Sequence, residues 1–151
     1  MDLSVLFYER SLKFHGWFEH NFSKGGFNLM KILVVEDEKV VRETLVSLLE
    51  RSGFADVQYA EDGAAALIEL KRGIQYDLVI TDKNMPKVSG PELFEQARDL
   101  GVPFILVSGR FDDDETRQLL SAGFTAVIRK PYPLKQLLEK MDDALGVSAI
   151  T

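Results

Sequence analysis

The 151-residue chain contains no cysteine, which excludes disulfide bonds, thiolate nucleophiles and cysteine-held metal sites. It also lacks net positive charge: at −6 it is poorly suited to bind nucleic acid or an anionic membrane through charge. No apolar run approaches the roughly 20 residues of a membrane-spanning helix. The first residues lack the basic and then apolar pattern of a secretory signal. These absences predict a cytoplasmic protein that binds neither nucleic acid nor a membrane.

Beyond Met30 the sequence alternates short apolar runs with amphipathic segments, which is typical of an α/β domain. Strands are predicted at residues 31–36, 56–60, 77–82, 103–108 and 125–129. Helices are predicted near residues 38–52, 62–72, 89–100, 113–122 and 133–145. Three of the strands are continuously apolar, as expected of parallel strands that are covered on both faces. The pattern predicts a doubly wound, five-stranded parallel sheet with five helices.

Turn and capping residues support these element boundaries. A glycine follows each predicted helix, at Gly53, Gly73, Gly101, Gly123 and Gly146. A left-handed C-terminal cap favours a residue without a β-carbon at this place. Ser89 and Glu92 have the spacing of a capping box, and Asp112 with Glu115 repeats that spacing. Pro133 is suited to the first turn of the last helix.

Residues 1–29 differ in composition from the rest, because they hold seven of the chain's fifteen aromatic residues. Several of these aromatic residues could share one helical face, and a Ser-Lys-Gly-Gly sequence near the end resembles a linker. Two interpretations stay open: an upstream remnant without a role, or an amphipathic helix that docks on the domain, a second subunit or a partner. The predicted organisation is an extension over 1–29, a domain over 30–146 and a tail over 147–151.

Charged and hydroxyl residues directly follow or end four predicted strands. They are Glu36 and Asp37 at the first strand, Asp82 at the third, Ser108 at the fourth and Lys130 at the fifth. Because the carboxyl ends of parallel strands meet at one edge of an open sheet, we expect these side chains to lie together. Each residue alone has an ordinary explanation, such as helix capping or a turn. Their coincidence at matching strand ends predicts a functional site.

The combination of residue types is suited to phosphoryl transfer. Three carboxylates in a partly desolvated cleft repel one another, and a hard divalent cation with oxygen ligands relieves that repulsion. Such a ligand set favours magnesium over zinc. Asp82 would act as the nucleophile and form an acyl phosphate. Lys130 would offer a positive charge, and the Ser108 hydroxyl a hydrogen bond, to the phosphoryl oxygens.

Four motifs resemble those of the receiver domains of two-component response regulators. They are residues 34–38 (Val-Val-Glu-Asp-Glu), 80–86 (Ile-Thr-Asp-Lys-Asn-Met-Pro), 106–109 (Leu-Val-Ser-Gly) and 130–131 (Lys-Pro). The resemblance covers residues 30–146 and has the layout of the single-domain chemotaxis regulators. It implies a flavodoxin-like sheet with strand order 2-1-3-4-5, and a cis peptide bond before Pro131.

The resemblance also implies a function for the site. Asp82 would accept a phosphoryl group from a sensor histidine kinase or a phosphotransfer protein. Mg²⁺ would be held by Asp37, Asp82 and the Asn84 backbone carbonyl, with Glu36 acting through water. The chain would be a single-domain regulator, a monomer or weak dimer, and would catalyse only its own phosphorylation and dephosphorylation. It would signal through contacts with a downstream protein target or through a phosphorelay.

One position departs from the family pattern. In this family the switch hydroxyl, here Ser108, acts with an aromatic residue three positions before the lysine, where this chain has Val127. The hydroxyl half of the switch is present and the aromatic half is absent, so the usual coupling to output is left open. We expect the output surface around the fourth helix, fifth strand and fifth helix, with Phe111 and Tyr132 as contacts.

Two other functions fit the sequence less well. Haloacid-dehalogenase-type phosphatases also combine a strand-end aspartate, a hydroxyl, a lysine and magnesium, but normally carry an aspartate where this chain has Asn84. A pseudo-receiver would bind partners without phosphorylation, which the complete set of site residues disfavours.

The acids at 112–115 predict a helix cap rather than a second cation site. His15 and His20 lack acidic or cysteine companions, which disfavours metal binding.

Overall fold

The computed structural model describes residues 28–145, and the side chains of residues 30–145. The strands are β1 (Asn28–Val35), β2 (Phe54–Ala60), β3 (Leu78–Asp82), β4 (Phe104–Ser108) and β5 (Ala126–Arg129). The helices are α1 (Lys39–Arg51), α2 (Gly63–Leu70), α3 (Gly90–Gln96), α4 (Asp113–Ala122) and α5 (Leu134–Ala144). A short 3₁₀ helix, Arg98–Leu100, follows α3.

The five strands form one parallel sheet in the order β2-β1-β3-β4-β5, which confirms the predicted topology. Neighbouring strands end almost level with one another: Asp82 pairs with Val107, and Ser108 pairs with Arg129. The chain order reverses between β1 and β3, which is where open α/β sheets place their ligands. The residues that follow β1, β3, β4 and β5 therefore share one edge of the sheet.

Two apolar layers hold the helices against the sheet. On one face, the buried helical residues are Leu45 and Leu49 of α1 with Leu137, Leu138 and Met141 of α5. On the other face they include Ala66 of α2, Leu93 and Phe94 of α3, and Leu119 of α4. The apolar sides of these amphipathic helices thus face the sheet, because burial of apolar surface is the main force that attaches such a helix.

The predicted elements are confirmed, with most ends shifted by three residues or fewer. The third helix was predicted to reach residue 100, which is wrong: α3 ends at Gln96 and the chain continues as the 3₁₀ helix. The Arg98 guanidinium lies 4.8 Å from the centre of the Phe94 ring and donates a hydrogen bond of 2.8 Å to the Ala122 carbonyl. These contacts reach from the tightened turn to α4, and a local helical pattern does not encode them.

The capping predictions are largely confirmed. Ser89 and Glu92 form both hydrogen bonds of a capping box, and the Asp112 carboxylate accepts from the backbone N–H of Glu115. The glycines at 53, 73, 101 and 123 have positive φ angles. Pro133 is the N-cap of α5 and not, as predicted, a residue of its first turn.

The ends of the chain are only partly described. β1 begins at Asn28, two residues inside the predicted extension. The helix considered as one interpretation of the extension, the cap at Gly146 and the tail at 147–151 lie outside the described residues. The domain boundaries therefore stay a prediction. None of the helices within residues 28–145 is long and apolar enough to cross a bilayer.

Asp142 on α5 is a carboxylate in an unfavourable place. Its Oδ1 atom is buried and has no hydrogen-bond partner among the described residues. Burial, followed by repulsion from Asp143 and Glu139, raises the pKa of Asp142 from 3.8 to about 7. Because the folded protein then binds the carboxyl proton of Asp142 more tightly than the unfolded chain does, folding stability falls as the pH rises from about 4 to about 7.

We expect the Asp142→Asn variant to be more stable than the wild type by ~1–2 kcal/mol near neutral pH and above, because asparagine carries no charge to bury. Below about pH 4 the wild-type carboxyl is itself protonated, and the gain should vanish. Urea unfolding followed by circular dichroism at both pH values measures the difference. Glu50→Gln, at an exposed position on α1, is the control. A gain of equal size at both pH values would contradict the prediction.

Candidate functional site

The strand ends bring one lysine and three carboxylates together. Lys130 Nζ lies 3.4 Å from Glu36 Oε2 and 3.6 Å from Asp82 Oδ1. Glu36, Asp37 and Asp82 each offer a carboxylate oxygen, and these oxygens lie within 4.8 Å of one another. Glu36 is buried, Asp82 is half-buried and Asp37 is exposed. Four of the six residues singled out in the sequence thus form one cluster, which is open to solvent on the side of Asp37.

The cluster carries excess negative charge. Burial raises the pKa of both Glu36 and Asp82 above their ordinary values, and a neighbouring carboxylate, Asp82 in the first case and Asp37 in the second, raises it further. Lys130 opposes both shifts, and the backbone N–H of Lys83 donates to Asp82 Oδ1 at 2.9 Å. One ammonium group, that of Lys130, therefore pairs with two of the three carboxylates, and a further cation would relieve the remaining repulsion.

The donor set fits a hard divalent cation. All three side chains offer oxygen, which is the ligand atom that Mg²⁺ and Ca²⁺ prefer. Within residues 30–145, this is the one cluster of three or more acidic or histidine side chains with ligand atoms close enough to share an ion. Asn84, whose backbone carbonyl was expected to complete the ligand set, lies exposed in the loop after β3. The three carboxylates thus form an oxygen-donor set suited to a divalent cation, at the position where the sequence predicted a magnesium site.

Ser108 ends β4 at the same edge of the sheet, and it is 1% exposed. Its hydroxyl accepts a hydrogen bond of 3.2 Å from the backbone N–H of Arg110 and lies 3.5 Å from the Arg110 carbonyl. Among the described residues, these are its hydrogen-bond contacts. The hydroxyl is therefore held by the loop after β4 and not by Asp82.

Gly90 allows α3 to begin directly against β3. A β-carbon at this position would lie 2.4 Å from the Asp82 carbonyl oxygen and 2.8 Å from Leu106 Cδ1, closer than real contacts allow. The Gly90 N–H also donates to the Lys83 carbonyl at 2.9 Å. The start of α3 thus fixes the backbone on which Asp82 is mounted.

Two features at β5 bear on the resemblance. The Lys130–Pro131 peptide bond is cis, as implied by the resemblance. Val127 is half-buried and packs against the apolar layer under α2, α3 and α4. The position where the resemblance leads one to expect a switch aromatic is thus occupied by a smaller, half-buried side chain that packs against the core.

Sequence reasoning missed Arg42, which supports the cluster from α1. This arginine is 6% exposed, and its guanidinium donates a hydrogen bond of 2.9 Å to the Glu36 carbonyl. It also lies 5.3 Å from the centre of the Tyr59 ring and 3.9 Å from the Glu61 carboxylate. Its helical spacing to the buried Leu45 was a signal that this arginine faces inward.

Lys83 was also missed as a contact residue. Its Nζ donates a hydrogen bond of 3.0 Å to the Arg110 carbonyl and forms an ion pair with Glu115. Its backbone N–H points to Asp82 Oδ1 and to the Val107 carbonyl, at 2.9 and 3.0 Å. No local pattern relates Lys83 to residues about 30 positions later, so this bridge is visible only in the folded chain.

Comparison with known proteins points to one family. The family model for the response regulator receiver domain matches residues 32–142. Chemotaxis protein CheY-3 of Vibrio cholerae is 34% identical over 117 residues, which are 75% of this chain and 89% of the relative. The chemotaxis protein CheY homolog of Campylobacter jejuni is 35% identical over 124 residues, which are 80% of this chain and 95% of the relative.

Solved structures point to the same family. A response regulator receiver domain protein from Clostridium thermocellum superimposes with a TM-score of 0.72 at 29% identity, covering 79% of this chain and 96% of that one. The receiver domain of the hybrid histidine kinase CckA superimposes with a TM-score of 0.62 at 32% identity, covering 76% and 98%. Sheet order, strand-end residues and family match lead to one assignment. The chain belongs to the response regulator receiver domain family.

Proposed function

We propose that Asp82 accepts a phosphoryl group from the phosphohistidine of a sensor histidine kinase or phosphotransfer protein, in a reaction that requires Mg²⁺. One observation carries the proposal: Asp82 stands at a strand end with an ammonium group 3.6 Å from its Oδ1 and two carboxylates within 4.8 Å. Membership of the receiver family supports a role in two-component signalling, with the chain acting on itself and not on an external substrate.

The proposed transfer is an in-line displacement at phosphorus. A carboxylate oxygen of Asp82 attacks the phosphorus atom, and the bond to the donor histidine nitrogen breaks, with its electron pair leaving on the imidazole. The Lys130 ammonium offsets negative charge on the phosphoryl oxygens as they arrive. The Ser108 hydroxyl turns from Arg110 and donates a hydrogen bond to one of those oxygens. No group other than the donor and Asp82 exchanges a covalent bond.

Asp37, Asp82 and the Asn84 backbone carbonyl would hold the Mg²⁺, with Glu36 acting through water. When bound, Mg²⁺ supplies positive charge that offsets both the carboxylates and the incoming phosphoryl group. The raised pKa values of Glu36 and Asp82 support this role, because a site with that much unbalanced negative charge gains from a cation.

The signal would leave through protein contacts or a phosphorelay, from the surface formed by α4, β5 and α5. Phe111 supports this choice, because it is half-buried at this surface. The Arg129 guanidinium lies 5.3 Å from the centre of the Phe111 ring and donates a hydrogen bond of 2.9 Å to the Phe111 carbonyl. Tyr132 is also half-buried there. Such partly exposed aromatic side chains are suited to protein contacts. The proposal keeps the cytoplasmic location and the monomer or weak dimer expected from the sequence.

The test is incubation of the purified chain with acetyl phosphate, with and without Mg²⁺, followed by peptide mass spectrometry. We expect one phosphoryl group per chain, on the peptide that contains Asp82, and no modification when the metal is chelated. Modification of equal extent without Mg²⁺ would contradict the proposal. Continuous release of phosphate from p-nitrophenyl phosphate would instead favour a phosphatase of the haloacid-dehalogenase type.

A further inference from the structure

Lys83 connects the phosphoacceptor strand to the loop between β4 and α4. It directly follows Asp82, and its Nζ reaches the Arg110 carbonyl at 3.0 Å. The same ammonium group forms an ion pair with Glu115 in the first turn of α4. The side chain of Lys83 is 19% exposed, so water and salt screen this pair less than they screen a surface pair.

The bridge shares an anchor with the Ser108 hydroxyl. The Arg110 carbonyl accepts the bond from Lys83 Nζ and also lies 3.5 Å from Ser108 Oγ, while the Arg110 N–H donates to that oxygen at 3.2 Å. Two side chains near the end of β3, Lys83 and Ser108, are thus tied to one residue of the β4–α4 loop. A change in either of them alters the restraint on that loop.

We propose that Lys83 is a positioning residue that couples the phosphorylation state of Asp82 to the β4–α4 loop and the start of α4. The inference rests on the proposed function, because it takes Asp82 as the acceptor. In the unphosphorylated chain, Lys83 holds Arg110 and Glu115 near the end of β3. A phosphoryl group adds about two negative charges next to Lys83 and competes with Glu115 for its ammonium group.

The acidic residues at the start of α4 also favour its release from Lys83 when Asp82 is phosphorylated. The first turn of α4 carries Asp113, Asp114 and Glu115, all acidic. Once Lys83 turns toward the phosphoryl group, this turn faces a more negative site without its counter-ion, and repulsion favours its release. The coupling requires no aromatic side chain at position 127, so it gives a chain with Val127 a route from Asp82 to α4.

Hydrogen–deuterium exchange over residues 109–118 tests the coupling. It is measured in Mg²⁺ with and without beryllium fluoride, which stands in for a phosphoryl group. In the wild type we expect exchange to rise roughly fivefold when beryllium fluoride is added. In Glu115→Gln and Lys83→Met, exchange should already be raised without beryllium fluoride, and its addition should change exchange by less than about twofold. Lys83→Arg should restore the wild-type response.

A matched control comes from the loop between β3 and α3, which also carries Lys83. Lys87 is 72% exposed and lies 3.7 Å from the Asp62 carboxylate, so Lys87→Met removes an ammonium group and an ion pair without touching Arg110 or Glu115. This variant should respond to beryllium fluoride as the wild type does. A merely structural role for Lys83 would change basal exchange and leave the increment caused by beryllium fluoride intact.

Binding of beryllium fluoride, followed by fluorine NMR, distinguishes a failure of the proposed function from a failure of the coupling. Absence of binding to the wild type in Mg²⁺ would overturn the proposed function, and this inference with it. Binding to the wild type with unchanged exchange over residues 109–118 would overturn the coupling alone. The coupling alone would also be overturned if Glu115→Gln bound beryllium fluoride and showed the same rise in exchange as the wild type.

Discussion

The Asp82→Asn variant should take up no phosphoryl group from acetyl phosphate and Mg²⁺ under conditions that modify the wild type fully. The amide keeps the shape of the carboxylate but offers no nucleophilic oxygen that can form an acyl phosphate. Intact-mass spectrometry, with peptide mapping of the modified species, measures the difference. The expected effect is complete loss, because no neighbouring carboxylate shares the position of Asp82 at the end of β3.

The loss should not come from unfolding. Burial, reinforced by Asp37, raises the pKa of Asp82, so the ionised carboxylate destabilises the folded chain as the pH rises above its unfolded value of about 3.8. Removing that charge should leave the melting temperature at neutral pH equal to or above that of the wild type. Asp99→Asn, at an exposed position, is the matched control and should be modified normally. Equal modification of Asp82→Asn and wild type would remove Asp82 from its proposed role.

The Lys130→Met variant should be phosphorylated about 100-fold more slowly than the wild type at saturating Mg²⁺, since loss of one preorganised donor to a developing anion typically has an effect of this size. Methionine keeps the length and packing of the lysine stem and removes the ammonium group that lies 3.4 Å from Glu36 and 3.6 Å from Asp82. The rate is measured by intact-mass spectrometry after rapid quenching, with acetyl phosphate as donor.

The metal affinity of the same variant distinguishes two roles for Lys130. If the ammonium group serves the phosphoryl group, its removal should leave Mg²⁺ binding as tight as in the wild type or tighter, because a competing cation has left the acidic cluster. Isothermal titration calorimetry measures this. Lys135→Met, which removes an exposed lysine on α5, is the control. A phosphorylation rate within about threefold of the wild-type rate would contradict the role given to Lys130.

The fold could be predicted because its signals are local. Strands such as Leu78–Asp82 are short and begin with a continuous apolar run, and helices such as Leu134–Ala144 carry one apolar stripe. Gly123 and the capping box at Ser89 mark helix ends through their own backbone preferences. The end of α3 could not be predicted, since Arg98 is held there by contacts to Phe94 and Ala122.

The sequence predicted which strand-end residues would lie close together in the candidate site, but not the contacts between them. Parallel strands place their carboxyl ends at one edge, so Glu36, Asp82 and Lys130 had to approach one another once the sheet order was set. Whether Lys130 would contact one carboxylate or both depends on the twist of the sheet and on rotamers. Ser108 illustrates the limit: its position at the strand end was predicted, but its hydrogen bonds to Arg110 were not.

The sequence by itself determined the alternation of elements, the strand ends that carry acid, hydroxyl and lysine, and the valine at position 127. These are properties of residue type and spacing along the chain. Only the tertiary structure decided that Arg42 is buried against the Glu36 carbonyl and that the Lys83 side chain reaches from the end of β3 to Glu115. The physical reason is that long cationic side chains select partners by distance in space, and packing of helices on the sheet sets those distances.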